Sequence, residues 1–405
     1  MDNIINAVNY IRKVGLYPDM PIITSGVNEP LCVINGKRYL MFCSNNYLGM
    51  TENRYVKNAA KKSIDKYGVG PGGSRVISGN VDIIEELEKS IANLTGTEDC
   101  ITFPTGYMAN IGVFKAVMDS FVGKDNENEN DNTIFSDEDN HGSIVDGCRL
   151  SKAKKIVFKH NNTDDLIDKL RNNESKNKLI VTEGVFSLDG EIVNLPKYIE
   201  IAKNYGAKIM IDDAHGVGIL GRNGGGTGEY YNCVSDINIL MGCMDKALGG
   251  TGGFLCGSKI LIDYLRISCR SSVLSSAIPT MMAGAMIKSI SLIKKGDKIR
   301  KDLLSKAEYL KMALIKSGFR ILGKDTIPAI PLFIGDEIIG IKFSKLLWED
   351  GIYLPIVRWP AVSMKECRFR IIIMANHSKE QLDRLVKACV NAGEKLNIIK
   401  SHNII

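Results

Sequence analysis

The sequence predicts an α/β protein, with a large domain on a mostly parallel sheet and a smaller C-terminal α+β domain, on three observations. Helical patterns such as Val81 to Leu94 alternate with short apolar runs through the middle of the chain. Those runs end in polar or glycine-rich residues, the place where open α/β sheets bind ligands. Towards residue 290 the alternation gives way to shorter units, with strands near Ala329 to Phe333 and Phe369 to Met374 separated by helices.

The elements follow in order. Residues 1–45 read as a helix and then a hairpin, with Leu31-Cys-Val-Ile and Arg38-Tyr-Leu-Met-Phe on either side of the turn pair Asn35-Gly36. Residues 46–289 form the large domain. Its strands are Ile101-Thr-Phe, Leu179-Ile-Val-Thr, Lys208-Ile-Met-Ile, Ile237-Asn-Ile-Leu-Met and Gly253-Phe-Leu-Cys-Gly, near-continuous apolar runs suited to strands buried on both faces. A long helix from Thr280 leads into the small domain, 290–405. The polar, acidic stretch Asp125 to Asn132 reads as a surface loop.

Composition narrows the function. The chain has 405 residues, 44% of them hydrophobic, enough for a large core. Its net charge of +6 is spread along the sequence rather than gathered in a basic block with interleaved aromatics, so nucleic acid is not indicated. The ten cysteines show no Cys-x-x-Cys pair and no zinc-like spacing with histidine, which predicts reduced, mostly buried thiols and no metal. The start has no secretory pattern, and no stretch approaches the roughly 20 apolar residues of a membrane span. A cytoplasmic protein without an integral membrane segment is expected.

Four segments carry the chemistry. The first is Ile209-Met-Ile-Asp212-Asp213-Ala214-His215, which delivers a carboxylate and an imidazole at a strand end. A carboxylate beside a pyridine nitrogen keeps that nitrogen protonated, the state in which the ring withdraws electrons. Such residues also cap turns, so the segment needs company. The second is Lys246, just past a buried strand and before Ala-Leu-Gly-Gly-Thr-Gly-Gly. Burial is expected to lower its pKa, leaving a free amine as nucleophile and base. The third, Thr105-Gly106-Tyr107-Met108-Ala109-Asn110, opens a helix whose first amides suit a phosphate. The fourth is His141, whose imidazole suits stacking on a pyridine face. Gly68-Val-Gly-Pro-Gly-Gly73 and Gly216-Val-Gly-Ile-Leu-Gly221 match the dinucleotide fingerprint, but the first follows a helix and the second runs into a glycine loop, which argues against a nicotinamide or flavin site.

Taken together these blocks resemble the α-oxoamine synthases, pyridoxal 5'-phosphate (PLP) enzymes of fold type I. The likeness spans nearly the whole chain: Asn45-Asn-Tyr-Leu-Gly49, Tyr67 to Arg75, Thr105-Gly-Tyr107, His141 to Gly147, Glu183-Gly-Val-Phe-Ser187-Leu-Asp-Gly190, Asp212-Asp-Ala-His215, Lys246-Ala-Leu-Gly249 and Arg368-Phe-Arg370-Ile. The resemblance implies Lys246 as the Schiff-base lysine, Asp212 on the ring nitrogen, His215 on the phenolic oxygen and His141 stacked on the ring. It further implies Ser187 near the ring, Gly106 and Tyr107 as the phosphate turn, and Asn45 and Arg370 on the substrate carboxylate. Ser275 and Ser276 match a segment that reaches the phosphate of a neighbouring subunit, so a homodimer with shared active sites is implied. Cys243 stands where the family usually has a phosphate-binding threonine, and Asp245 where it has a small residue.

The reaction so implied joins a small amino acid (Ala, Ser or Gly) to an acyl thioester on coenzyme A or acyl-carrier protein, usually with loss of CO2, giving an α-amino ketone. Leu354-Pro-Ile-Val-Arg-Trp-Pro-Ala-Val362 is most similar to the 8-amino-7-oxononanoate synthases, whereas Pro104 to Asn110 and His141 to Cys148 also resemble serine palmitoyltransferases. A 2-amino-3-ketobutyrate ligase-like enzyme is a further alternative, and a catalytically silent partner subunit is the alternative of another class.

Overall fold

The computed structural model describes residues 1–17, 20–26, 29–119 and 131–400. Most of the acidic loop reading, 125–130, therefore lies outside the described residues. The chain begins with helix α1 (Asp2–Lys13), then strands β1 (Leu31–Ile34) and β2 (Lys37–Met41). Asn35 and Gly36 between the strands both have positive φ, 50° and 75°, the backbone that a two-residue hairpin turn demands of its central pair. Helices α2 (Arg54–Tyr67) and α3 (Asp82–Thr95) lead to β3 (Asp99–Phe103), α4 (Gly106–Met118), β4 (Asn132–Asp137), α5 (Gly142–Leu150), β5 (Lys154–Phe158) and β6 (Asn177–Glu183). The short ribbon β7 (Val185–Phe186) and β8 (Glu191–Ile192) follows. Next come β9 (Lys208–Asp212), β10 (Ile239–Cys243) and β11 (Gly253–Gly257).

Seven of these strands form the central sheet in the order β3-β11-β10-β9-β6-β4-β5. The expectation of a mostly parallel sheet holds: β11 alone runs against its neighbours, pairing antiparallel with both β10 and β3. The register sets the carboxyl ends side by side, with Glu183 opposite Asp212 and Asp212 opposite Met241.

Alternation along the strands then decides which way each end residue points. Leu179, Val181, Met210, Met241 and Cys243 join the core cluster that contains Ala109 and Val113 of α4 and Ile144 of α5, whereas Ile180, Ile209, Ile211 and Leu240 join the core on the other face. By the same alternation Glu183, Asp212 and Cys243 project to the α4–α5 face. The sequence carries that parity, and it is what gathers the polar groups beneath two helix N-termini.

The C-terminal region supplies a second, antiparallel sheet, β12 (Ala329–Gly335), β15 (Cys367–Ile372) and β14 (Ile356–Val357), with β13 (Ile352–Tyr353) lying elsewhere. β13 pairs in parallel with β2, matching Ile352 to Leu40 and Tyr353 to Met41. The Ile372 amide also donates to the Phe42 carbonyl at 2.8 Å. These bonds draw the chain just beyond the first hairpin, where Asn45 and Tyr47 lie, up to β15. None of the described helices is long and apolar enough to cross a membrane. The cysteines are free and, apart from half-buried Cys43, buried.

Candidate active site

Asp212 ends β9 with its side chain buried. Its Oδ2 accepts from Asn110 Nδ2 of α4 at 2.8 Å and its Oδ1 from the Ala214 amide at 3.1 Å. Asn110 Nδ2 also donates to Ser143 Oγ at 2.9 Å, and Ser143 Oγ lies 2.7 Å from His141 Nδ1. A continuous polar chain thus runs from the Asp212 carboxylate to the His141 imidazole. His141 caps α5, with its Nδ1 accepting from the Ser143 amide, and its own amide donates to Glu183 Oε1 at 2.8 Å. Burial, followed by repulsion from Asp212, holds the Glu183 carboxyl well above its ordinary range.

Lys246 lies in the loop joining β10 to β11. Its side chain is 13% exposed and its Nζ is 3.4 Å from Asp245 Oδ1. Burial pulls its pKa down as the sequence led us to expect, but Cys243, Asp245, Asp212 and Tyr47 outweigh burial and the net shift is upward. This corrects the expectation. Cys243 is itself pushed up to about 12 by burial, so at neutral pH the charges that hold the ammonium are the two carboxylates.

Helix α4 begins where a phosphate would need it. Thr105 caps the helix, its Oγ1 accepting from the Met108 amide. A Cβ on Gly106 would lie 2.2 Å from Cys243 Sγ, and one on Gly253 would lie 2.4 Å from Gly106 Cα. Glycine at both positions lets the helix N-terminus sit directly on the ends of β10 and β11. The Tyr107 side chain turns outward, donating its hydroxyl proton to Asp146.

On the opposite wall Arg370 of β15 donates from Nη1 to Asn45 Oδ1 (2.9 Å), from Nη2 to Tyr47 Oη (3.1 Å) and from Nε to Ser187 Oγ (3.1 Å). All three acceptors are neutral, and Arg370 forms no ion pair of 4 Å or less among the described residues. His215 completes this cluster, its Nδ1 2.7 Å from Tyr47 Oη and its Nε2 3.2 Å from Ser187 Oγ. Burial, with Lys246, Arg370 and His141 adding positive charge, holds His215 well below the ordinary imidazole range.

Lys246, Asp212, His141, His215, Ser187, Asn45 and Arg370 are therefore linked through hydrogen bonds or close electrostatic coupling, with Gly106 against Cys243. Ser275 and Ser276 are not. They lie in the loop after the helix Arg270–Val273, a loop tied by the Ala277 amide to the Gly73 carbonyl. Among the described residues no hydrogen bond joins either serine to the cluster. Sequence reasoning quoted the segments holding Tyr47, Asn110, Ser143 and Glu183 but gave these four no role. For Glu183 the usable signal was its strand parity.

The donor set fits PLP. A buried carboxylate with two fixed donors suits a protonated ring nitrogen, a half-shielded lysine suits an aldehyde, and the glycine-built helix start suits a phosphate.

A family model for class I and II aminotransferases matches residues 37–389. The chain is 42% identical over 390 residues to an 8-amino-7-oxononanoate synthase of Lysinibacillus sphaericus, covering 96% of this chain and 97% of the relative. It is 37% identical over 401 residues to an 8-amino-7-oxononanoate synthase of Thermoanaerobacter pseudethanolicus, covering 98% of each. Among solved structures, the serine palmitoyltransferase of Sphingomonas wittichii superposes with a TM-score of 0.89 at 29% identity over 98% of both chains. An SPT solved with its PLP internal aldimine superposes with a TM-score of 0.91 at 28% identity, again over 98% of both.

Proposed function

Because this chain belongs to the class I and II aminotransferase family, and within it to the PLP-dependent α-oxoamine synthases, we propose that it makes an α-amino ketone from alanine and an acyl thioester ending in a carboxylate, with loss of CO2. One observation carries the amino-acid half of this reading. Arg370 is a cation inside the site whose fork, among the described residues, is occupied only by Asn45, Tyr47 and Ser187, so its charge awaits an anion. The α-carboxylate of an amino acid supplies one, and Asn45 orients it.

The acyl half rests on Arg358. This residue follows β14 and lies in the segment that resembles 8-amino-7-oxononanoate synthases. Its Nη1 is buried without a hydrogen-bond partner. The product for which those relatives are named carries a terminal carboxylate, and an acyl donor that carried one too would suit the unpartnered Nη1 of Arg358. A palmitoyl chain offers nothing to such a group.

Lys246 would hold PLP through Nζ, Asp212 its ring nitrogen, and the amides of Gly106 and Tyr107 its phosphate, with Ser275 and Ser276 of a second copy completing the phosphate site in a homodimer. Bound PLP supplies a sink for negative charge developing at the amino acid's α-carbon. Lys246 Nζ, once it has shed its own ammonium proton, would take the α-proton and later return one. The Asn110–Ser143–His141 chain holds the His141 imidazole, which would cover the ring face of bound PLP. Arg370 and Asn45 keep the carboxylate aligned for departure as CO2.

The test is a matrix of alanine, serine and glycine against carboxylate-ended and unbranched long-chain acyl thioesters, scoring thiol release and CO2. Alanine with the carboxylate-ended donor is expected to be fastest by at least tenfold. A preference for serine with palmitoyl thioester would replace this reading with a serine palmitoyltransferase. Absence of thiol release with every pair, in protein reconstituted with PLP, would favour a silent subunit.

A further inference from the structure

Tyr47, His215, Ser187 and Arg370 close a ring of hydrogen bonds in which protons can be counted. Tyr47 Oη meets His215 Nδ1 at 2.7 Å, and His215 Nε2 meets Ser187 Oγ at 3.2 Å. Arg370 completes the circuit, donating to Ser187 Oγ and to Tyr47 Oη, each at 3.1 Å. Arginine can only donate, so each hydroxyl oxygen already accepts one proton from it. His215 is a neutral imidazole, held so by burial and by the positive charges of Lys246, Arg370 and His141, and so carries a single N–H.

Two arrangements remain. In one, Tyr47 donates to Nδ1, Nε2–H donates to Ser187, and the serine proton is spare. In the other, Nδ1–H donates to Tyr47, Ser187 donates to Nε2, and the phenolic proton is spare. The lengths separate them: 2.7 Å is the separation of a hydroxyl donor, and 3.2 Å falls at the long end for an N–H donor. Burial agrees. Tyr47 is 1% exposed, and among the described residues its hydroxyl bonds only to His215 Nδ1 and to Arg370, which can only donate. Stranding that proton would leave a buried donor unpaired, which is unfavourable. Ser187 is 8% exposed and sits where Arg370 and His215 converge.

We propose that Tyr47 is a positioning residue that sets the tautomer of His215. It donates its phenolic proton to Nδ1 and fixes the ring in the Nε2–H form, leaving the Ser187 hydroxyl as the ring's spare donor to an anionic oxygen of the bound cofactor or substrate. The identity of that oxygen rests on the function proposed above. The tautomer does not.

The experiment is a long-range proton–nitrogen correlation spectrum of the full chain with isotope-labelled histidine, recorded near neutral pH without added cofactor. Only five histidines are present, and His215→Gln identifies the signals of that ring. The wild type is expected to show a pyridine-type shift at Nδ1 and a pyrrole-type shift at Nε2. Ser187→Ala should keep that pattern, whereas Tyr47→Phe should move both shifts towards the average of two exchanging tautomers. An Nδ1–H ring in the wild type overturns the proposal without any variant. So does a Tyr47→Phe spectrum unchanged from wild type, or a doubly protonated ring. Because the spectra need neither turnover nor PLP, a negative result here leaves the thioester assay to judge the reaction separately.

Discussion

Two arginines on one strand separate what holds this protein together from what we propose it uses to bind its substrate. Arg368 and Arg370 stand two residues apart on β15 and so face the same side. Arg368, 7% exposed, donates to Asp189 Oδ1 at 2.6 Å and to the Leu188 carbonyl at 3.2 Å, a neutralised pair that pins the loop after β7 to β15. Arg370 reaches Ser187, two residues earlier in that loop, and finds only neutral oxygens. The same side chain is thus cement in one position and, on the proposed reading, receptor in the next. What distinguishes them is whether the fold supplies a counter-charge.

That contrast can be broken from the receptor side first. Arg370→Lys keeps the charge but loses the fork. It is expected to raise the KM for the amino acid on the order of a hundredfold, the equivalent of losing about 2–3 kcal/mol of charge-assisted bonding, with the melting temperature nearly unchanged. An unaltered KM in steady-state kinetics would remove Arg370 from the carboxylate site. The complementary variant, Arg368→Ala, is expected to do the opposite. It strands Asp189 beside a lost partner and should cost about 2–3 kcal/mol in denaturant unfolding, below the figure for a fully buried pair because Asp189 is 25% exposed. Its KM should rise far less than that of Arg370→Lys, and equal KM changes would collapse the distinction.

The smallest effect sharpens the structural side. His160 packs edge-on against Phe186 with its Nδ1 2.9 Å from Asp137 Oδ1, and Asp139 and Asp189 add negative charge around it. Burial pulls its pKa down, but the bond to Asp137 and the three carboxylates more than offset this and hold it up to about 9. A raised folded-state value means that His160 contributes its full stability below its ordinary value of 6.5 and loses it as pH rises through about 9. Unfolding free energy measured across that window should fall with pH, and His160→Gln should flatten the slope. An identical slope in the variant would show that the imidazole is uncharged when folded.

Much of this was legible in the sequence because strand ends are conspicuous. An apolar run that stops at Asp212, or just short of Lys246, marks both a carboxyl edge and a polar group there, and the structure brings both together with His141 and Arg370. The alternation that sends Glu183, Asp212 and Cys243 to one face was also present, though it becomes usable only once the strand bounds are known. Three things were not readable. Tyr47 lies in the block Asn45 to Gly49, and its role depends on meeting His215, a residue that no local spacing links to it. Pairing of β2 with β13 is a long-range choice with a two-residue partner, too short to announce itself. The charge state of Lys246 depends on carboxylates whose directions the chain alone does not give, and burial was overweighted as a result.

The proposed receptor draws on Asn45 and Tyr47 and on Arg370, which follows Asn45 by 325 residues. A ribosome adding about 5–20 residues per second therefore needs on the order of tens of seconds between making the first wall of the receptor and the last. In that interval the opening hairpin has no β13 to lean on, and an isolated two-stranded ribbon is marginal in water. On the proposed reading, recognition of the amino acid thus waits for the synthesis of β15, and a product truncated before it would carry Lys246 and Asp212 yet lack Arg370.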